Sequence, residues 1–246
     1  MSFYSSHSLG RPLLAVLCYN NGTYASSVLS KIPIQRDYDV LVINDGSSDG
    51  TGTELSRFPF PQIINDENHG IGFCIKKAIQ YAKEKGNQVL VIMAGNNKDN
   101  PQEIDQLLTP IYQEGFDYVQ GSRYLKSDQA IRTPWFRKMM VPLHAKIFSW
   151  LTGFSCTDAL NGYRAYKISL FYEPIKINIW QDWLNRYEFE TYLHYHALIA
   201  CRVKEVAVTK SYASYQKGKS YSHIRPWVDW WKIMSPLLYL KLGIRK

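Results

Sequence analysis

Five stretches of this 246-residue chain gather the side chains able to hold or move a charged group. The first, Asn44-Asp45-Gly46-Ser47-Ser48-Asp49-Gly50-Thr51, follows the apolar run Val40-Leu41-Val42-Ile43. It puts side-chain acceptors and loose backbone at the carboxyl end of a buried strand, where open α/β sheets bind ligands. The second, Asn68-His69-Gly70-Ile71-Gly72, leads into a helix carrying Lys76, a compact positive charge. Its third fingerprint position is Ile75, not glycine, which argues against a Rossmann dehydrogenase. The third, Ala94-Gly95-Asn96-Asn97-Lys98-Asp99, offers neutral oxygens and one carboxylate after another apolar run. The fourth, Gly121-Ser122-Arg123-Tyr124, presents the planar fork of donors of an arginine. The fifth, Thr157-Asp158-Ala159-Leu160-Asn161-Gly162-Tyr163-Arg164, joins an acid to an arginine. Tyr19 and Asn21 in a turn, Arg137 in a basic stretch, and Lys217 in K-G-K-S-Y-S-H complete the candidates. Each has a plainer reading: a capped βα turn at 44–51, a solvated helix face at Lys76, a surface arginine at Arg123.

The elements that must position these residues alternate. Apolar runs at 13–18, 40–43, 62–64, 88–93, 118–121 and 203–208 read as strands. Between them, 23–32 reads as a helix, and Ile71, Cys74, Ile75, Ala78, Ile79 and Ala82 form one helical stripe. Asn100, Pro101 and Glu103 resemble a capping box ahead of a helix striped by Ile104, Leu107, Leu108, Ile111 and Tyr112. Residues 130–142 read as a loop followed by a helix, and Glu188 and Glu190 suit a helix start. The alternation predicts a single α/β domain, a mostly parallel sheet flanked by helices, over residues 1–209.

Hydrophobic residues make up 46% and charged residues 20%, an ordinary globular balance that argues against disorder beyond the first ten residues. Cys18, Cys74, Cys156 and Cys201 are widely spaced, which argues against zinc and a disulfide framework and suits a reducing compartment. The apolar run at 12–18 is short and badly flanked for a secretory signal, and no stretch approaches the roughly 18 apolar residues of a membrane span. The net charge of +8 is concentrated from Lys210 onward, where eight Lys or Arg stand against Asp229 alone. In that segment, 210–246, Trp227, Trp230, Trp231 and Met234 recur at helical spacing among Lys and Arg, which predicts an amphipathic helix on an anionic membrane surface. The same stripe packed on the domain's own core is the competing reading. The basic residues match no nucleic-acid recognition motif, so no nucleic-acid partner is expected.

The run I-N-D-G-S-S-D-G-T resembles the V-D-D-G-S-x-D-x-T signature of family 2 glycosyltransferases with the GT-A fold, most of all the dolichyl- and polyprenyl-phosphate sugar synthases. Y-N-N at 19–21, N-x-G-x-G at 68–72, G-S-R at 121–123 and D-A-L-N-G-Y-R at 158–164 resemble that family's motifs in the same order. The resemblance implies a Rossmann-like GT-A domain whose nucleotide-binding residues are Tyr19, Asn21, Asn44, Asp45, Lys76, Gly95, Asn96, Arg123, Arg137 and Lys217. Asp45 would read the base, Lys76 and Arg123 would hold phosphates, Asp158 would face the acceptor and Arg164 would brace the site. Four acids of the pattern are replaced, by Asn21, by Asn44, and by Ala94 and Asn96 in the M-A-G-N that stands for M-D-A-D.

That last change bears on the metal, since magnesium usually keeps one or two carboxylates beside substrate phosphates. Either a divalent ion, Mg or Mn, is re-routed through Asn96, Asn97 and Asp99, or cationic side chains neutralise the diphosphate, or the site is inactive. The implied activity is an inverting transfer of a sugar from a nucleotide-diphosphate donor to a polyprenyl phosphate or a surface glycan. The expected location is cytoplasmic, peripheral on the inner face of a membrane. The alternatives are a catalytically lapsed sugar-nucleotide binder and a nucleotidyltransferase, which would want a glycine-rich basic loop where Tyr19-Asn20-Asn21-Gly22 stands.

Overall fold

A computed structural model describes residues 9–127, 129–172, 177–212 and 228–244, with 228–230 and 232 as backbone alone. Lys217 and Trp227 therefore lie outside the described residues, as does the side chain of Trp230. The strands are β1 (Leu13–Cys18), β2 (Asp39–Asp45), β3 (Gln62–Asn65), β4 (Val89–Ala94), β5 (Tyr118–Ser122), β6 (Ala130–Ile131), β7 (Arg164–Lys167), β8 (Val203–Ala207) and β9 (Lys210–Ser211). The helices are α1 (Thr23–Leu29), α2 (Thr51–Leu55), α3 (Ile71–Lys85), α4 (Ile104–Glu114), α5 (Trp135–Thr152), α6 (Glu188–Ala200) and α7 (Val228–Lys241). Seven strands form one sheet in the order β3-β2-β1-β4-β7-β5-β8, and β6 pairs with β9 apart from it.

β1, β2 and β4 are buried along nearly their whole length, which is why they read as unbroken apolar runs. The pleat sends alternate residues to opposite layers. Leu14, Val16, Val40 and Val42 meet Val28 and Leu29 of α1 and Leu107 and Leu108 of α4. Leu13, Ala15, Leu41 and Ile43 meet Ile75 and Ile79 of α3 and Phe189 and Leu193 of α6. The sheet is mostly parallel, and β7 runs antiparallel to both β4 and β5. Its sequence, Arg-Ala-Tyr-Lys, has no apolar run to announce it. The buried Arg164 is tolerated there because its guanidinium donates to the carbonyls of Asn161 and Glu190.

One expectation is corrected by packing. Asn100 caps a 3-10 turn by accepting from the Gln102 N–H at 3.2 Å, but Glu103 does not close the box; its carboxylate accepts from Thr209 N at 2.8 Å. In α7, Ile233 and Leu237 are buried, whereas Trp231 is 57% exposed. Leu237 joins Ala145 and Phe148 of α5 and Leu198 of α6 in a third core cluster. The helix therefore turns Ile233 and Leu237 inward and Trp231 outward.

Candidate active site

β1 sends the chain to β2 on one side, and the chain returns through α3 to β4 on the other, so β1 and β4 flank the point where strand order reverses. Ligand crevices of open α/β sheets lie there. A cleft of about 620 Å³ opens at these strand ends, lined by Leu17, Cys18, Tyr19, Asn21, Asp45, Asn68, Gly70, Ile71, Cys74, Ala94, Asn96, Arg186 and Tyr187. That volume falls within the range of small-ligand pockets. The lining includes Tyr19, Asn21, Asp45 and Asn96 from the sequence reading. It also includes Tyr187, at the start of α6, and Arg186, which the sequence reading passed over because the segment before α6 carries no strand or glycine signal.

The wall is built by turns tied to one another. Thr51 Oγ1 accepts from Asn21 N at 2.9 Å and Gly22 N at 2.7 Å, and Asn20 N donates to Ser47 Oγ at 3.0 Å. Asn44 lies beneath the wall, 4% exposed, and holds its own turn by accepting from Ser47 N. Gly95 donates to Leu17 O at 2.7 Å, and a Cβ there would lie 2.3 Å from Cys18 Sγ, so glycine is what lets the β4 loop close against β1.

Asp45 faces the cleft but is saturated. Oδ1 accepts from Asn65 Nδ2 at 2.8 Å and His69 N at 3.1 Å; Oδ2 accepts from Asn68 Nδ2 and Gly70 N, both at 2.8 Å. A carboxylate offers about four lone-pair directions, and all are used to order the 65–70 loop. Asp45 thus shapes the cleft wall through the 65–70 loop it orders.

Lys76 also departs from its expected place. It is 4% exposed, and its ammonium donates to Gln181 O at 2.9 Å and Asn185 Oδ1 at 2.7 Å, outside the cleft. Phe73 N donates to Asn185 O at 3.0 Å, so the first turn of α3 holds protein rather than an open anion site. Both glycines serve the same join. A Cβ on Gly70 would lie 2.6 Å from Asn185 O, and one on Gly72 would lie 2.1 Å from Leu184 O. Together they clamp the 181–187 segment across the mouth and deliver Arg186, whose Nη1 and Nη2 donate to Asn68 Oδ1 at 3.0 Å and Asn68 O at 3.3 Å.

The acceptor-side candidates form a buried network. Asp158, fully buried, accepts from Arg123 Nε at 2.6 Å, Arg123 Nη2 at 2.7 Å, Arg123 N at 3.1 Å and Leu160 N at 3.2 Å. Burial pushes its pKa up, but the Arg123 charge and these hydrogen bonds outweigh that and hold it below the ordinary value. Neither partner is free for the role read from sequence: Arg123 is spent on a carboxylate, and Asp158 is sealed from any acceptor proton. Glu205 carries the loop that bears Asp158 by accepting from Thr157 N at 2.9 Å and Asp158 N at 3.1 Å. Arg164 lies behind it as a brace.

Asp99 pairs with Lys210 at 2.8 Å, and the same ammonium donates to Asn161 Oδ1 at 2.8 Å. Lys98 is nearly buried beside it; burial first, then the charges of Lys210 and Arg137, lower its pKa to about 7. Arg137, on α5, therefore stands within electrostatic reach of this loop rather than on the cleft wall.

These residues do not fit a divalent ion. The wall positions are Ala94, which has no ligand atom, and Asn96, whose Oδ1 accepts from Lys98 N at 3.3 Å. Asp99 is off the wall and neutralised by Lys210. Among the described residues, no group of three or more His, Cys, Asp or Glu side chains is placed to hold a metal.

The model of the family described as Glycosyl transferase family 2 matches residues 14–186, from β1 to the arginine at the cleft mouth. The chain belongs to this family. This family 2 glycosyltransferase is 30% identical over 134 residues to the undecaprenyl-phosphate mannosyltransferase of Micrococcus luteus, covering 52% of this chain and 54% of that protein. It is 30% identical over 135 residues to the polyprenol monophosphomannose synthase of Mycolicibacterium smegmatis, covering 52% and 50%. The chain thus spans about half the length of these curated relatives. The glucosyl-3-phosphoglycerate synthase of Mycobacterium tuberculosis, solved with Mn2+, uridine diphosphate and phosphoglyceric acid, aligns with a TM-score of 0.67 at 14% identity. That alignment covers 97% of this chain and 78% of that one, and it shows the glycosyltransferase to have the GT-A fold.

Proposed function

We propose that this glycosyltransferase moves a sugar from a nucleotide-diphosphate donor to a polyprenyl phosphate, with inversion at the sugar carbon. The acceptor phosphate oxygen attacks that carbon as its bond to the donor diphosphate breaks, and the nucleoside diphosphate leaves. The observation that carries this reading is the state of the acids. A hydroxyl acceptor needs a base to take its proton, whereas a phosphate monoester is already ionised. Among the described cleft-lining residues Asp45 is the one carboxylate, and it is saturated; Asp158 is locked to Arg123. The names of the two bacterial relatives agree with a polyprenyl-phosphate acceptor. A surface glycan with a hydroxyl nucleophile is the weaker reading on the same ground.

A membrane-surface location follows from the acceptor. No helix among the described residues is long and apolar enough to cross a membrane. α5 turns Trp135, Met139, Leu143 and Trp150 outward, and the Lys241 ammonium of α7 lies 5.6 Å from the centre of the Trp150 ring. Tryptophan and lysine together on exposed helix faces suit a headgroup layer, which supports peripheral attachment to a membrane surface. The test is partition of label: with a radiolabelled nucleotide-sugar panel, lipid-soluble label should appear with undecaprenyl phosphate and not with an oligosaccharide acceptor. The opposite pattern would overturn the lipid-phosphate reading, and binding without transfer to either would favour the lapsed binder that Ala94 and Asn96 suggest.

A further inference from the structure

We propose that the cleft takes the diphosphate of its donor without a divalent cation, the Arg186 guanidinium meeting the phosphate charge in its place. The inference rests on the nucleotide-sugar reading above and adds how that ligand is neutralised. Its first support is the wall itself. Asn21, Ala94 and Asn96 give the cleft neutral surfaces where a metal would need anionic oxygens, and the lone pairs of Asp45 are filled by four N–H donors. Such a wall neither holds a divalent ion nor repels a bare diphosphate strongly.

The second support is how Arg186 is delivered. Among the described lining residues it is the one cation. Two of the five N–H donors of its guanidinium go to Asn68, which leaves a fork of donors at the rim for phosphate oxygens. The segment that carries it is held at three independent points. Lys76 donates to Gln181 O and Asn185 Oδ1, Phe73 N donates to Asn185 O, and Gly70 and Gly72 admit backbone that a Cβ would exclude. The buried lysine and paired glycines that resemble a phosphate turn thus serve to place an arginine.

The experiment is calorimetry on the full chain with UDP and GDP, in EDTA and then in MgCl2 or MnCl2, alongside uridine and guanosine. The nucleotide that binds should do so equally in EDTA and with metal, to within about twofold. Arg186→Ala should weaken the diphosphate by about tenfold or more, the factor one charge-assisted hydrogen bond is worth, and leave the nucleoside unchanged. Arg186→Lys should recover part of the loss. Binding that appears only with Mg2+ or Mn2+ would overturn the inference, and this arm needs no variant. So would an Arg186→Ala protein that binds as tightly as the parent, or one that loses nucleoside and diphosphate alike, which marks a structural role. If no nucleotide binds under any condition, the donor reading falls too, a result distinct from metal-dependent binding.

Discussion

At the scale of single residues, two acids read from sequence as site residues are used to hold structure. Asp45 gathers four donors from 20 to 25 residues downstream. Asp45→Asn turns one acceptor oxygen into a donor that faces them, and the orphaned groups should lower unfolding free energy by about 2–3 kcal/mol in urea denaturation. The strand-end position of Asp45 was legible, because an apolar run stopping at Asn-Asp-Gly marks it. Its saturation was not, since a sequence does not show which distant N–H groups arrive. The Arg123–Asp158 pair carries the same lesson from residues 35 apart, both read singly as site residues. Asp158→Ala leaves a buried guanidinium uncompensated and should cost about 3–5 kcal/mol. The folded pKa of Asp158 lies below the ordinary carboxylate value of about 3.9, so the pair's stability is fully present above that pH and is lost as pH falls toward the folded value. A series of melting temperatures from pH 5 down to pH 2 should therefore drop in the parent, with Asp158→Asn starting lower and falling less.

At the scale of elements, the strands and α3 were legible because burial on both faces and a 3.6-residue stripe leave plain patterns. The purpose of the glycines at the start of α3 was not, because a phosphate turn and a close helix-to-loop join ask for the same residue. Gly72→Ala separates them. Its Cβ would lie 2.1 Å from a backbone carbonyl that cannot rotate away, so the 181–187 segment must shift. We expect about 1–3 kcal/mol lost in urea denaturation, together with weaker diphosphate binding through displaced Arg186. β7 and the full length of α5 were hidden for a different reason. β7 is polar at both ends, and α5 runs through Pro142 with apolar residues outward, so each breaks the pattern that would reveal it.

At the scale of the whole molecule, α5 and α7 pack on α6 and present Trp135, Trp150 and Trp231 to the outside. Each basic residue near an anionic surface adds about 1 kcal/mol, screened by salt. Flotation with phosphatidylglycerol vesicles should carry the protein at low salt and release it at high salt. The double variant Trp135→Ser, Trp150→Ser should bind less at an unchanged melting temperature, because both rings are over three-quarters exposed; equal flotation would move the contact elsewhere. Under the proposed function, a protein held on such a surface meets a lipid phosphate, an ionised nucleophile that needs no base from the locked acids. The product tests this account most directly. Incubating the full chain with undecaprenyl phosphate and a panel of UDP- and GDP-sugars, then reading the extracted lipid by mass spectrometry and NMR, should give a glycosyl phosphate lipid with the anomeric configuration opposite to the donor's. A product with retained configuration, or donor turnover that leaves the lipid phosphate unglycosylated, would contradict it.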